Sequence, residues 1–251
     1  MVPLTKHWQV PPRLPAEIDH NLQLYPPILR QILYNRGYAT LETAKAFLEA
    51  IPPQNTDPLL MTGVLSAVKR LHQAIQRREP IAVYGDYDVD GVTATALLVQ
   101  ALVNLGAEVR GYIPNRFDEG YGLNNDALEI LRNDGVNLIV TVDCGIRSVE
   151  EARYAQQLGM DLIITDHHHP AQVIPQALAV INPKQPGDHY PEKDLAGVGL
   201  AYKLAEALVT YLTQSAVEVK FQVESFLDLV ALGTVADLAP LVGENRSLVR
   251  A

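Results

Sequence analysis

From residue 61 the chain alternates between two hydrophobic periods. Met61, Val64, Leu65, Val68, Leu71 and Ile75 recur at three- and four-residue intervals, which predicts an amphipathic helix ending near Arg78. Short apolar runs then alternate with helical stretches: strand 81–84, helix 92–105, strand 108–113, helix 125–133, strand 138–142, helix 148–158, strand 161–165 and strand 178–181. Helices near 195–212 and 220–232 follow. Strand and helix in alternation imply right-handed crossovers and an α/β fold with a mostly parallel sheet flanked by helices. The first sixty residues read differently. They are Pro-rich at Pro11-Pro12, Pro26-Pro27 and Pro52-Pro53, with helices expected over 27–35 and 40–50. Thr40 is placed to cap the second of these, although the acid that would close a capping box, Glu42, falls one residue early. The pattern therefore predicts a helical N-terminal extension over 1–60 and an α/β domain over 61–251.

In a parallel sheet, ligands bind beyond the carboxyl ends of the strands. Three clusters of polar residues fall there: Asp86, Asp88 and Asp90 after strand 81–84, Asp143 after strand 138–142, and Asp166, His167, His168 and His169 after strand 161–165. Crowded carboxylates repel one another unless a cation binds among them. The run 85–91, GDYDVDG, also resembles the opening of an EF-hand, but position 12 counted from Asp86 is Leu97 rather than a bidentate Glu, and the incoming segment is a strand. Taken singly, each cluster has a plainer explanation: Asp90 could cap the next helix, Asp143 could cap one starting near Arg147, and 167–169 could be a solvated loop. Their convergence on one sheet edge favours a shared metal site.

Carboxylate and imidazole donors suit Mn²⁺, with Mg²⁺ where oxygen dominates, and so many anionic ligands exceed the need of one ion. A pair of ions bridged by a carboxylate is the usual apparatus for phosphoester hydrolysis. The rest of the composition constrains less. With 20 Lys and Arg against 29 Asp and Glu, the net charge of −9 argues against a protein that coats nucleic acid nonspecifically, but leaves room for a nuclease with a local basic track. No apolar span is long enough to cross a bilayer, and MVPLTKHWQVPPRLP has neither the basic lead nor the apolar core of a secretory signal. The single cysteine, Cys144, cannot form an intramolecular disulfide and reads as a small buried residue, so a cytoplasmic location is the expectation.

The motifs GDYDVDG at 85–91, VDCG at 142–145 and TDHHHP at 165–170, with GTVAD at 233–237, resemble those of the DHH phosphoesterases, Asp166-His167-His168 being the eponymous triplet. The segments RFDEGYGLN at 116–124 and LAGVGLAYK at 195–203 are similar to the RecJ-type branch, single-strand-specific 5′→3′ exonucleases of DNA repair and recombination. The resemblance implies that Asp88, Asp90, Asp143, His167 and Asp237 ligate the metal pair, with Asp86 as a further ligand or close neighbour and Asp143 as the bridge. It implies that His168 faces the scissile phosphate, that Asp166 orients an imidazole, and that Arg116 binds a substrate phosphate. Implied partners are single-stranded DNA and, around it, a single-strand-binding protein or a helicase. Two departures stand out. Tyr84 occupies a position where many DHH proteins have His, and the 251 residues carry no Gly-rich motif of a DHH-associated second domain. Alternative readings are a small-substrate phosphodiesterase or pyrophosphatase, and a truncated DHH core that serves as a scaffold.

Overall fold

The structure, a computed structural model, describes residues 9–115 and 122–251. Two compact units divide it, one reaching to Pro52 and the other running from Pro53 to Ala251.

The first unit contains α1 (Ala16–Asn21), α2 (Pro27–Asn35) and α3 (Leu41–Glu49). Pro27 stands at the first position of α2, where its missing N–H costs no helical bond. Thr40 caps α3 as the sequence predicts, but Thr43 closes the capping box: the Thr40 hydroxyl accepts from Thr43 N at 3.2 Å, and Thr43 Oγ1 accepts from Thr40 N at 3.4 Å. A small core forms around Leu22, Leu33 and Ala44, with the rings of Tyr38 and Phe47 stacked 4.3 Å apart.

The second unit begins with a 3₁₀ turn at Pro58–Leu60 and then α4 (Val64–Arg77). It continues through β1 (Ile81–Gly85), α5 (Val89–Asn104), β2 (Val109–Tyr112), α6 (Asn125–Asn133), β3 (Leu138–Val142), α7 (Val149–Gln157), β4 (Asp161–Thr165) and β5 (Ala179–Ile181). After these come α8 (Gly197–Gln214), a 3₁₀ turn at Val223–Phe226, α9 (Leu227–Ala236) and α10 (Gly243–Arg250). The predicted helix 220–232 is thus displaced: residues 223–226 wind as 3₁₀ and the α-helix runs on to Ala236.

All four strand pairings are parallel, in the order β2-β1-β3-β4-β5. Parallel strands covered on both faces bury every position, and β1 and β3 do so over their full length. Ile81, Val83, Leu138, Val140 and Ile163 pack with α4, α5, α8 and α9 on one face. Ala82, Tyr84, Ile139, Leu162 and Ile164 pack with α6 and α7 on the other. Leu97, the residue that fails the calcium-loop pattern, is fully buried in α5. The strand order reverses direction between β1 and β3, which is where open α/β sheets form their binding crevice. Among the described residues no helix is long and apolar enough to cross a membrane.

Candidate metal centre

Register places the site. Gly85 of β1 pairs with Val142 of β3, and Val142 pairs with Thr165 of β4, so the residues that follow, Asp86, Asp143 and Asp166, leave three adjacent strands at one level. Neighbouring strands lie about 4.8 Å apart, which brings side chains from three distant stretches of sequence within ligand range of one another.

Each loop then aims its side chains differently. After β1, Asp88 is the N-cap of α5, its Oδ1 accepting from Gly91 N at 2.9 Å. The capping role that the sequence offers to Asp90 therefore falls to Asp88, because α5 starts at Val89 rather than near residue 92. Asp90 sits in the first helical turn and is 1% exposed. Asp86, also buried, accepts from Tyr87 N at 2.7 Å. After β3, Asp143 adopts the left-handed region at φ 60. It caps no helix, since α7 begins only at Val149 after Ser148. After β4, Asp166 Oδ2 accepts from Ile146 N at 2.9 Å, while Oδ1 accepts from His168 N at 3.0 Å and lies 2.8 Å from His168 Nδ1. His169 faces solvent, so the histidine run divides into two residues turned to the site and one turned away.

The side chains converge on His167 and Asp143. His167 Nε2 lies 3.1 Å from Asp143 Oδ1, 3.8 Å from Asp90 Oδ2 and 3.9 Å from Asp237 Oδ2. Asp237 arrives at the C-terminal end of α9. Three groups have donor atoms within 4.8 Å of one another: Asp90, His167 and Asp237; Asp86, Asp88 and Asp143; and Asp143, His167 and His168. Two share Asp143 and two share His167. Arg116 lies outside the described residues.

Both oxygens of Asp143, and His167 Nε2, are buried without a hydrogen-bond partner among the described residues. Burying such groups unsatisfied is costly, and a divalent cation would satisfy all three atoms at once. The electrostatics agree. Burial, reinforced by the charges of Asp90, Asp88 and Asp166, pushes the Asp143 carboxyl up to about 10. Burial also raises Asp90 to about 6 against two backbone hydrogen bonds that pull it down, and raises Asp86. The same low-polarity surroundings push His167 below its ordinary value, leaving it a neutral imidazole suited to ligation. His168 goes the other way: its hydrogen bond to Asp166 raises it to about 9 in spite of burial. Burial works to raise Asp166, but the bond to His168 and that residue's charge outweigh it and hold the carboxyl below its usual range.

Other supports have no ligand role in the sequence pattern, although Gly197 and Val198 fall in the 195–203 segment noted above. Lys184 Nζ donates to His167 O at 2.8 Å and Asn182 Nδ2 to His168 O at 2.9 Å, holding the backbone of the histidine turn. Gly197 N and Val198 N, at the start of α8, donate to the two oxygens of Asp90 at 2.6 and 2.8 Å. Tyr84 is fully buried on the α6 and α7 face; its hydroxyl donates to Gly122 O at 2.8 Å and accepts from Asn124 Nδ2 at 3.1 Å. Cys144 is buried and its thiol is pushed well up by burial, as expected of a packing residue.

Comparison with known proteins places this geometry in context. Residues 80–234 match the model of the DHH family, N-terminal domain. The chain is 47% identical over 220 residues to the single-stranded-DNA-specific exonuclease RecJ of Bacillus subtilis (strain 168), an alignment covering 88% of this chain and 27% of that protein. It is 40% identical over 242 residues to the RecJ of Escherichia coli (strain K12), covering 94% of this chain and 40% of that one. Among solved structures, RecJ from Thermus thermophilus in complex with Mn²⁺ superposes with a TM-score of 0.72 at 33% identity, over 93% of this chain and 32% of that chain. The chain thus spans well under half the length of these relatives.

Proposed function

The chain belongs to the DHH family, and from that premise we propose that it is the catalytic core of a single-strand-specific 5′→3′ exonuclease of the RecJ type. Family and donor clusters support metal-dependent phosphoester hydrolysis in general; the choice of single-stranded DNA and of polarity follows the RecJ relatives. The observation that carries the reading is the buried, unpartnered Asp143 carboxylate standing between two donor groups.

In this reading Asp143 is shared by both sites, because neither of its oxygens accepts a hydrogen bond among the described residues, while Asp86, Asp88 and Asp90 already accept from backbone amides. Asp90, His167 and Asp237 complete one site, and Asp86 and Asp88 the other. Bound there, two divalent ions, Mn²⁺ or Mg²⁺, would supply Lewis acidity toward the phosphate and a water acidic enough to attack near neutral pH. His168, held protonated by Asp166 and partly open to solvent, presents a positive donor beside the pair, placed to pair with a phosphate oxygen. Asp166 does not reach the phosphate; it holds the ring. Arg116 would add a bidentate contact to a substrate phosphate. Single-stranded DNA is the partner, with a single-strand-binding protein or helicase delivering it.

The test is Mn²⁺-dependent release of mononucleotides from 5′-phosphorylated single strands, set beside turnover of dinucleotides. Asp143→Ala is expected to lower the rate on the order of a thousandfold, and long strands to be used in preference to dinucleotides. Equal activity of the variant removes Asp143 from the centre, whereas preference for dinucleotides moves the assignment to a small-substrate phosphodiesterase.

A further inference from the structure

We propose that the first turn of α8 positions the metal centre: the Gly197 and Val198 amides fix the Asp90 carboxylate, and the absence of a side chain at Gly197 lets Asp143 close against it. The inference rests on the two-ion reading above and concerns residues that supply no ligand atom themselves.

Asp90 lies in the first turn of α5, far from α8 in sequence. Gly197 N–H donates to its Oδ2 at 2.6 Å and Val198 N–H to its Oδ1 at 2.8 Å. One donor on each oxygen fixes the plane of the carboxylate as well as its place. These amides are among the first of α8, which have no partner within the helix, and the N-cap residue Ala196 has no side chain able to serve them. Asp90 therefore acts as the cap of a helix to which it does not belong. Each of its oxygens retains a second lone pair for a cation.

Asp143 approaches the same helix end. A Cβ added to Gly197 would fall 2.7 Å from Asp143 Cβ and 2.9 Å from its Cγ and Oδ1. Asp143 has little room to yield, being 1% exposed with its backbone in the left-handed region. A side chain at 197 must therefore displace either the Asp143 carboxylate or α8, and moving α8 pulls both amides away from Asp90. Gly199 makes an internal contrast: a Cβ there would meet Leu195 at 3.4 Å, an ordinary contact. The crowding recurs on α9, where a Cβ at Gly233 would overlap Thr93 Oγ1 and fall 2.8 Å from Val198 Cγ1 in the first turn of α8 and 2.9 Å from Asp90 Oδ1.

The experiment is calorimetric titration of the full chain with Mn²⁺, alongside thermal unfolding of the metal-free protein, for the parent, Gly197→Ala and Gly199→Ala. Gly197→Ala is expected to unfold cooperatively and to bind Mn²⁺ roughly 10- to 100-fold more weakly, the range found when groups that orient metal ligands are altered. Gly199→Ala should keep the parent's affinity. Parent affinity in Gly197→Ala, or an equal loss in both variants, overturns the proposal. If Gly197→Ala yields no folded protein, Gly233→Ala carries the same test, and parent affinity there also overturns it. A parent chain that takes up no Mn²⁺ would instead sink the two-ion reading itself, so the two failures are distinguishable.

Discussion

Asp143 concentrates the conflicts of the site: a left-handed backbone, full burial, and two oxygens that accept no hydrogen bond among the described residues. Such conflicts persist where the surroundings force them, and they cluster at functional sites. They also make a pH prediction. A carboxyl raised by folding contributes stability that is complete below its unfolded value and is lost as pH climbs through the folded one. For Asp90 the loss runs from 3.8 to about 6, and for Asp143 it continues to about 10. His168, raised from 6.5 to about 9, acts in the same sense. Through these groups the metal-free protein should be less stable at pH 8 than at pH 5. Mn²⁺ should raise the melting temperature more at pH 8, where the ligands shed their protons more readily. Melting curves with chelator and with Mn²⁺ at the two pH values check this, and a larger metal shift at pH 5 contradicts it. That these carboxylates belong together was legible in the sequence from their places after successive strands. Their separate duties were not, because Asp88 and Asp90 differ only in where the helix happens to start.

Among the elements, hydrophobic period located the strands well: 138–142 and 161–165 coincide with β3 and β4, since parallel strands covered on both faces read as nearly continuous apolar runs, broken here only by Thr141 and by Asp161 and Thr165 at the ends of β4. Helix ends were less readable. Hydroxyl pairing substituted for the missing acid at α3, and a 3₁₀ turn took the residues expected to begin the helix that became α9. Ties between elements left no local trace at all. Arg70 on α4, with an 11% exposed side chain, donates through Nε to Asp161 at the start of β4 and pairs with Glu79, each at 2.6 Å. Arg70→Ala leaves Glu79, whose side chain is 18% exposed, with the longer 3.5 Å pairing to the exposed Arg77. It should cost about 2–4 kcal/mol, less than a fully buried pair because Asp161 is half in solvent. Urea denaturation measures the loss, and Mn²⁺ affinity should be unchanged because none of these groups reaches the centre. Unaltered stability would show that the tie contributes nothing.

Every residue of the centre that the structure describes lies within the unit from Pro53 to Ala251, which has its own core on both sheet faces. Residues 53–251 produced alone should therefore fold and bind Mn²⁺ with the affinity of the full chain, measured by the same titration; a tenfold weakening would mean that the first unit contributes to the site. The α/β class, the parallel sheet and the edge where the acidic and imidazole side chains gather could all be read from the order of residues, because side-chain period and the strand–helix alternation are properties of neighbouring positions. Other features came only from folding: the clamp on Asp90 by the α8 amides, the lack of room for a side chain at Gly197 beside Asp143, and the burial that moves the site's proton affinities apart. These depend on backbone groups and on solvent exclusion. A backbone amide is the same at every non-proline position, and exclusion of water belongs to the packed assembly, so neither leaves a mark in the string of residue types.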